Sequence, residues 1–92
     1  MRDDRFSWTD EKARTNLVDH KISFEFARLA FDDPAGIDEP DDDPDEDRWK
    51  HTGMADQRIV TVAYVERGDR IHIISARKAT RHEREDYFRQ ST

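Results

Sequence analysis

Cysteine is absent from the chain, and glycine and proline number three each among its 92 residues. Without thiols there is no disulfide framework, no thiolate zinc site and no cysteine nucleophile, so a reducing compartment suits it. No run of about 18 apolar residues offers a membrane span, and the opening MRDDRFSW lacks the apolar core of a signal peptide. A soluble, untargeted protein in the cytoplasm, with no membrane partner, is the expectation. Hydrophobic residues amount to 34% against 41% charged, a balance that leans toward disorder unless the apolar residues cluster in patterned segments, as they do here. One thin-cored domain over residues 1–92 follows from that size.

Several chemistries are also missing. There is no phosphate-cradling G-x-x-x-x-G-K-[ST], no H-E-x-x-H and no G-x-S-x-G. The four histidines, His20, His51, His72 and His82, lack the paired spacing of a metal site, so neither a metal nor another cofactor is expected.

What is present in quantity is charge, unevenly placed. Residues 1–47 hold six cations and sixteen acids, or −10, whereas residues 48–92 hold ten and six, or +4. Eight of the acids and two prolines fall in DEPDDDPDED, residues 38–47, which predicts a solvated acidic loop. The C-terminal half keeps its own positive field, because charge acts locally under physiological screening.

Helical spacing comes first along the chain. Ser7 and Thr9 both suit an N-cap, and DEKARTNLVDHK sets Ala13, Asn16, Leu17 and His20 on one face, predicting a helix over about 10–20. Ser23 suits a second cap, with Ile22 positioned to staple against Ala27. FEFARLAF then lines up Phe24, Ala27 and Phe31 until Asp33-Pro34 stops the helix, and a helical hairpin results.

β-branched and aromatic content marks 58–65 as the clearest strand, with a strand of mixed polarity over 48–54 before it. The turn at 66–69 returns the chain into RIHIISAR. A two-residue loop would put Val60, Val62 and Tyr64 on one face with Ile71, Ile73, Ser75 and Arg77. Thr61, Ala63 and Val65 would share the other with His72, Ala76 and Lys78. Thr80 and Glu83 form a capping box that opens a last helix through Tyr87 and Phe88. The expected fold class is α+β: a helical hairpin, an antiparallel three- or four-stranded sheet and a C-terminal helix.

Arg77, Lys78 and Arg81, where the last strand meets that helix, with Arg48, Arg58 and Arg67 on or near neighbouring strands, suit phosphate binding; surface ion pairs with nearby acids are the plainer reading. Trp8 reads as core, while Trp49 suits a core plug or a base-stacking platform. His20 can answer the helix dipole or serve as general acid or base. Lys12, a cation in a helix's first turn, works against the dipole and hints at another use.

These residues also carry a resemblance. Phe6-Ser-Trp8 with Asp10, Lys12, Asn16 and His20, then ISFEFARLAFDDP, Asp47-Arg48-Trp49, Gly53 and VERGDRIHIISARKATRHEREDY, are similar to the BrnT family of bacterial type II toxins. The resemblance covers about residues 6–88. It implies a RelE-like fold and a metal-independent endoribonuclease that arrests translation and growth. It also implies a BrnA-type antitoxin whose ribbon-helix-helix part binds operator DNA. In the implied mechanism the ribose 2′-hydroxyl attacks the adjacent phosphate. Arg77 would stabilise charge; Lys12, His20 and Asp47 would transfer or orient protons; and Arg48, Trp49 and Arg81 would hold the RNA. Three departures stand out: Lys21 in place of the glycine after His20, which implies a differently made turn; Asp47 in place of glutamate; and the run of eight acids. A reading from another class is a catalytically inactive module that complexes with a DNA-binding partner.

Overall fold

A computed structural model describes residues 5–43 and 45–90. Its elements run β1 (Phe6–Ser7), α1 (Asp10–His20), α2 (Phe24–Ala27), a 3-10 helix (Arg28–Asp32), β2 (Ile37–Asp41), β3 (Arg48–Ala55), β4 (Arg58–Arg67), β5 (Arg70–Lys78) and α3 (Arg81–Gln90). The architecture is α+β, as expected, but the sheet has five strands in the order β1-β5-β4-β3-β2. It is mixed rather than wholly antiparallel, because Phe6 and Ser7 pair in parallel with Ile71 and His72. A two-residue strand leaves no periodicity for sequence reasoning to find.

Helix α1 starts where its chemistry places it. The Thr9 hydroxyl, not Ser7, accepts from the Lys12 amide and satisfies one of the free donors of the first turn. At the other end Lys21 adopts the left-handed conformation, φ 60° and ψ 27°, with its amide bonded to the Leu17 carbonyl. This left-handed turn is one that glycine adopts without strain, and the Lys21 ammonium adds a bond to the Val18 carbonyl at 3.0 Å. Ser23 caps α2 through the Phe26 amide. The second arm of the expected hairpin is four residues of α-helix that tighten into a 3-10 turn instead of one continuous helix.

That tightening lets the turn sit close on β3. A Cβ on Gly53 would fall 2.6 Å from the Ala30 carbonyl oxygen, so only glycine permits the approach. Beside it the buried His51 ring stacks on Phe31 with centroids 4.3 Å apart, its Nε2 2.7 Å from the Ala30 oxygen and its Nδ1 2.9 Å from Asp38.

The acidic loop expected over 38–47 is a strand in its first part. Residues Asp38, Glu39 and Asp41 lie opposite His51, Lys50 and Arg48, so the basic strand β3 offsets repulsion that would otherwise keep the acids apart. Pro40 donates no ladder bond, which an edge strand tolerates.

The two faces of the sheet bury different things. Val60, Val62, Ile73 and Ala76 pack with Phe24, Ala27 and Ala30 in the main core, with Trp8 against it as expected. On the opposite face Ile59 packs with Tyr87 of α3 and with Ala79, just ahead of that helix. Asn16, buried in α1, donates to the carbonyls of Ile22 and Ala76 and accepts from the Ala76 amide, all at 2.9 Å. Past the end of β1, this side chain supplies the bonds that a neighbouring strand would give β5.

The β4–β5 register corrects the parity argument. Arg67 pairs with Arg70 around a Gly68-Asp69 turn, and Tyr64 pairs with Ile73; the register then slips so that Ala63 faces Ser75 and Thr61 faces Arg77. The slip leaves Ile74 as the extra residue of a bulge, which reverses the alternation beyond it. Ala76 therefore turns into the main core, and Arg77 lies on the face of Thr61 and Ala63 rather than on that of Ile71, Ile73 and Tyr64.

Candidate functional site

The bulge delivers Arg77 to the face that carries the polar side chains of β3 and α3. There the Arg77 guanidinium grips Glu83 with two bonds, Nη1 to Oε1 at 2.7 Å and Nη2 to Oε2 at 3.0 Å. The Thr61 hydroxyl donates to Glu83 Oε1 at 3.0 Å, the Thr80 amide donates to the same oxygen at 2.8 Å, and Lys50 reaches Oε2 at 3.4 Å. Because Thr61 gives its one hydroxyl proton to Glu83, the 2.9 Å contact between Thr52 and Thr61 has Thr52 as donor. The Glu83 amide returns a bond to Thr80, completing the expected capping box.

Burial opposes ionisation of Glu83, but the Arg77, Thr80 and Thr61 donors overcome it and hold the carboxyl well below the usual carboxylate range. Five donors converge on its two oxygens, so Glu83 orients its neighbours and is poorly placed to accept a further proton. The bonds to Glu83 raise the Arg77 pKa against a smaller effect of burial. With 38% of its side chain exposed, Arg77 is fixed in direction yet open to solvent. Counting a long bond to the Lys78 carbonyl, three of its five N–H donors are engaged within the described residues.

Arg48 stands on the same face of β3, tied to Asp43 at 2.8 Å and Asp41 at 3.6 Å. Its Nε is buried and has no partner among the described residues. On β5, His72 also shares this face, with Nδ1 2.9 Å from the Ser7 hydroxyl. Burial, helped by the charge of Arg67, lowers its pKa, which favours the neutral imidazole near pH 7.

The remaining sequence candidates lie elsewhere. Trp49, half-buried, and exposed Asp47 line a shallow groove of about 600 Å³ with Arg48 and the acids after β2. His20 and Arg81 line a larger groove of about 1080 Å³ between the end of α1 and α3. Lys12 is exposed on α1 and lines neither. The candidates thus fall into three regions with Lys12 apart from all of them, and no described contact joins Lys12, His20 or Asp47 to Arg77.

Sequence reasoning missed Lys50 and Thr61 as neighbours of Arg77, and His72 on the same face, and saw Glu83 only as a cap. The signal for Thr61 and Glu83 was present, since both flank Arg77 once the bulge is known; the bulge itself left no mark in the sequence.

The model of one protein family, described as the ribonuclease toxin BrnT of type II toxin-antitoxin systems, matches residues 8–83. The chain belongs to the BrnT toxin family. The match spans the Arg77, Glu83, Lys50 and Thr61 network, together with Lys12, His20, Asp47, Arg48, Trp49 and Arg81. BrnT membership indicates a ribonuclease toxin whose activity is balanced by an antitoxin. No curated protein matches the chain. Among the described residues no helix is long and apolar enough to cross a membrane, and no cluster of three histidine or acidic side chains could hold a metal ion.

Proposed function

We propose that this BrnT-family chain cleaves RNA without a metal, by attack of a ribose 2′-hydroxyl on the adjacent phosphate, on the sheet face that carries Arg77. The new P–O2′ bond forms as the P–O5′ bond breaks, leaving a 2′,3′-cyclic phosphate and a 5′-hydroxyl. The observation that carries this reading is the fixed, half-exposed Arg77 guanidinium, aimed by Glu83 and accompanied by Lys50, within the region the family model matches. A preorganised cation of this kind stabilises the extra negative charge of the phosphorane without reorganising during the reaction.

Arg48 and Trp49 at the far end of β3 would hold the flanking backbone and a base. For proton transfer, neutral His72 shares the face of Arg77 but pairs four residues farther along β4, about 13 Å away at the usual strand rise, so it, like Lys12, His20 and Asp47, would act only if the RNA bridges between regions of the surface. The fold reads as RelE-like, translation and growth stop when RNA is cut, and a BrnA-type ribbon-helix-helix antitoxin neutralises the chain and carries the complex to operator DNA.

One observation favours the second reading, a catalytically inactive binding module: the two-pronged Arg77–Glu83 bond also serves simply to dock α3 on the sheet. Induction of the wild type and of Arg77→Ala in cells, with RNA integrity and growth followed, separates the two. The ribonuclease reading expects RNA loss and arrest with the wild type alone; a harmless wild type that leaves RNA intact sinks it.

A further inference from the structure

The groove between the end of α1 and α3 has a composition the rest of the molecule lacks. Lys21, Arg58, Lys78, Arg81, Arg84 and Arg89 line it beside His20, with Glu85 as the one carboxylate among the described residues there, in a chain whose net charge is −6. Buried Ile22, Ile59 and Val60 close its aliphatic floor at the sheet end, and Phe88, about half exposed, forms an apolar lip. Its volume, about 1080 Å³, is on the order of that of two turns of an α-helix about 10 Å across.

We propose that this groove is the docking site for an acidic amphipathic helix of the antitoxin, apolar residues on the floor and carboxylates against the rim. For the identity of the partner the proposal rests on the toxin–antitoxin reading. Two features select a peptide over single-stranded RNA. Base recognition uses stacking platforms, and the groove offers one exposed aromatic ring over an aliphatic floor. The aliphatic floor instead matches the apolar stripe of a helix laid in a groove, and the cationic rim matches its acidic flanks. Arg77 and Lys50 are not among the residues lining this groove. A bound helix here would hold the toxin by a surface apart from Arg77 and Lys50, while covering His20 and Arg81.

The test uses the full chain and a fluorescein-labelled synthetic helix of about 15 residues, the shortest length at which an isolated helix forms readily, with leucines on one face and glutamates on the other. A scrambled peptide of the same composition is the control, with fluorescence anisotropy as the readout. Binding by the amphipathic peptide should be about tenfold tighter than by the scramble, and about tenfold weaker in the double variant Lys21→Glu/Arg84→Glu. RNA cleavage by that variant should match the wild type. Equal affinity for both peptides, or no binding at all, overturns the proposal. So does displacement of the peptide by decauridylate together with loss of decauridylate binding in the double variant, which would mark the groove as an RNA track. If the peptides are discriminated but the wild type cuts no RNA, the ribonuclease reading fails and the docking site stands.

Discussion

At the scale of single residues, Glu83 holds the site together by staying ionised. Its folded pKa lies below that of the unfolded chain, so the stabilisation is present above the ordinary carboxylate range and is lost as pH falls through that range toward the folded value. Asp33 adds in the same direction: burial opposes its ionisation, but bonds from the Tyr87 hydroxyl and the Met54 and Ala35 amides depress its pKa overall. Denaturant midpoints should therefore be flat near neutrality and decline below about pH 5, with a shallower decline in Glu83→Gln. An equally steep decline in that variant would remove Glu83 from the account. At the alkaline end, the bond to Asp33 pushes the Tyr87 phenol up to about 12, so its stabilisation persists to about pH 10 and is lost as pH rises toward 12.

Lys21 gives a second prediction at this scale. A non-glycine residue at φ 60° bears steric strain of about 1 kcal/mol, which glycine relieves at a comparable cost in chain entropy. Lys21→Gly should therefore change stability by less than about 1 kcal/mol, while the β-branched Lys21→Val should cost about 1–2 kcal/mol more, as read by urea denaturation. A harmless valine would mean that the left-handed turn is not kept in solution.

Among the elements, those with local signals were legible in sequence and those fixed by distant contacts were not. Thr9, Ser23 and the Thr80–Glu83 box announced three helix starts because capping depends on residues within one turn. The β4–β5 hairpin was legible from its turn and its β-branched content. Strand β1 was not, because two residues pairing with Ile71 and His72 carry no period. Nor was β2, whose acids look solvated until Arg48, Lys50 and His51 are set opposite them. The bulge at Ile74 had the largest consequence, since it changed the face on which Arg77 stands. Of the candidate site, then, the sequence offered Arg77 as a candidate but not the partners that fix it.

Asn16 shows how one side chain completes an element. Replacing it with alanine leaves the Ala76 amide and carbonyl, and the Ile22 carbonyl, without their buried partner. A loss of about 2–4 kcal/mol should follow, read as a lower denaturant midpoint with an unchanged slope. Aspartate keeps the acceptor but loses both donors, so Asn16→Asp should not restore stability. A change below about 0.5 kcal/mol in Asn16→Ala would show that β5 does not rely on this bridge.

For the whole molecule, charge is divided between an acidic edge, from β2 to the start of β3, and cations on one sheet face and in the α3 groove. An RNA bound through Arg77, Lys50 and Arg48 releases counterions from few phosphates. Its affinity should fall with a log–log salt slope of about −2, since single strands contribute about −0.7 for each phosphate neutralised. A slope near zero in a filter-binding titration would place the RNA away from these cations.

The most direct test of the central claim is single-turnover RNA cleavage by the purified chain, alongside Arg77→Lys and Arg77→Ala, in EDTA and at a temperature where all three are folded. Arg77→Ala should cost about 1–2 kcal/mol of stability, discounted for the exposure of the pair, yet slow cleavage by at least about a hundredfold. Arg77→Lys should recover charge without the two-pronged grip and fall between the other two. Cleavage by folded Arg77→Ala at the wild-type rate would contradict the account and leave Arg77 as the pin that docks α3.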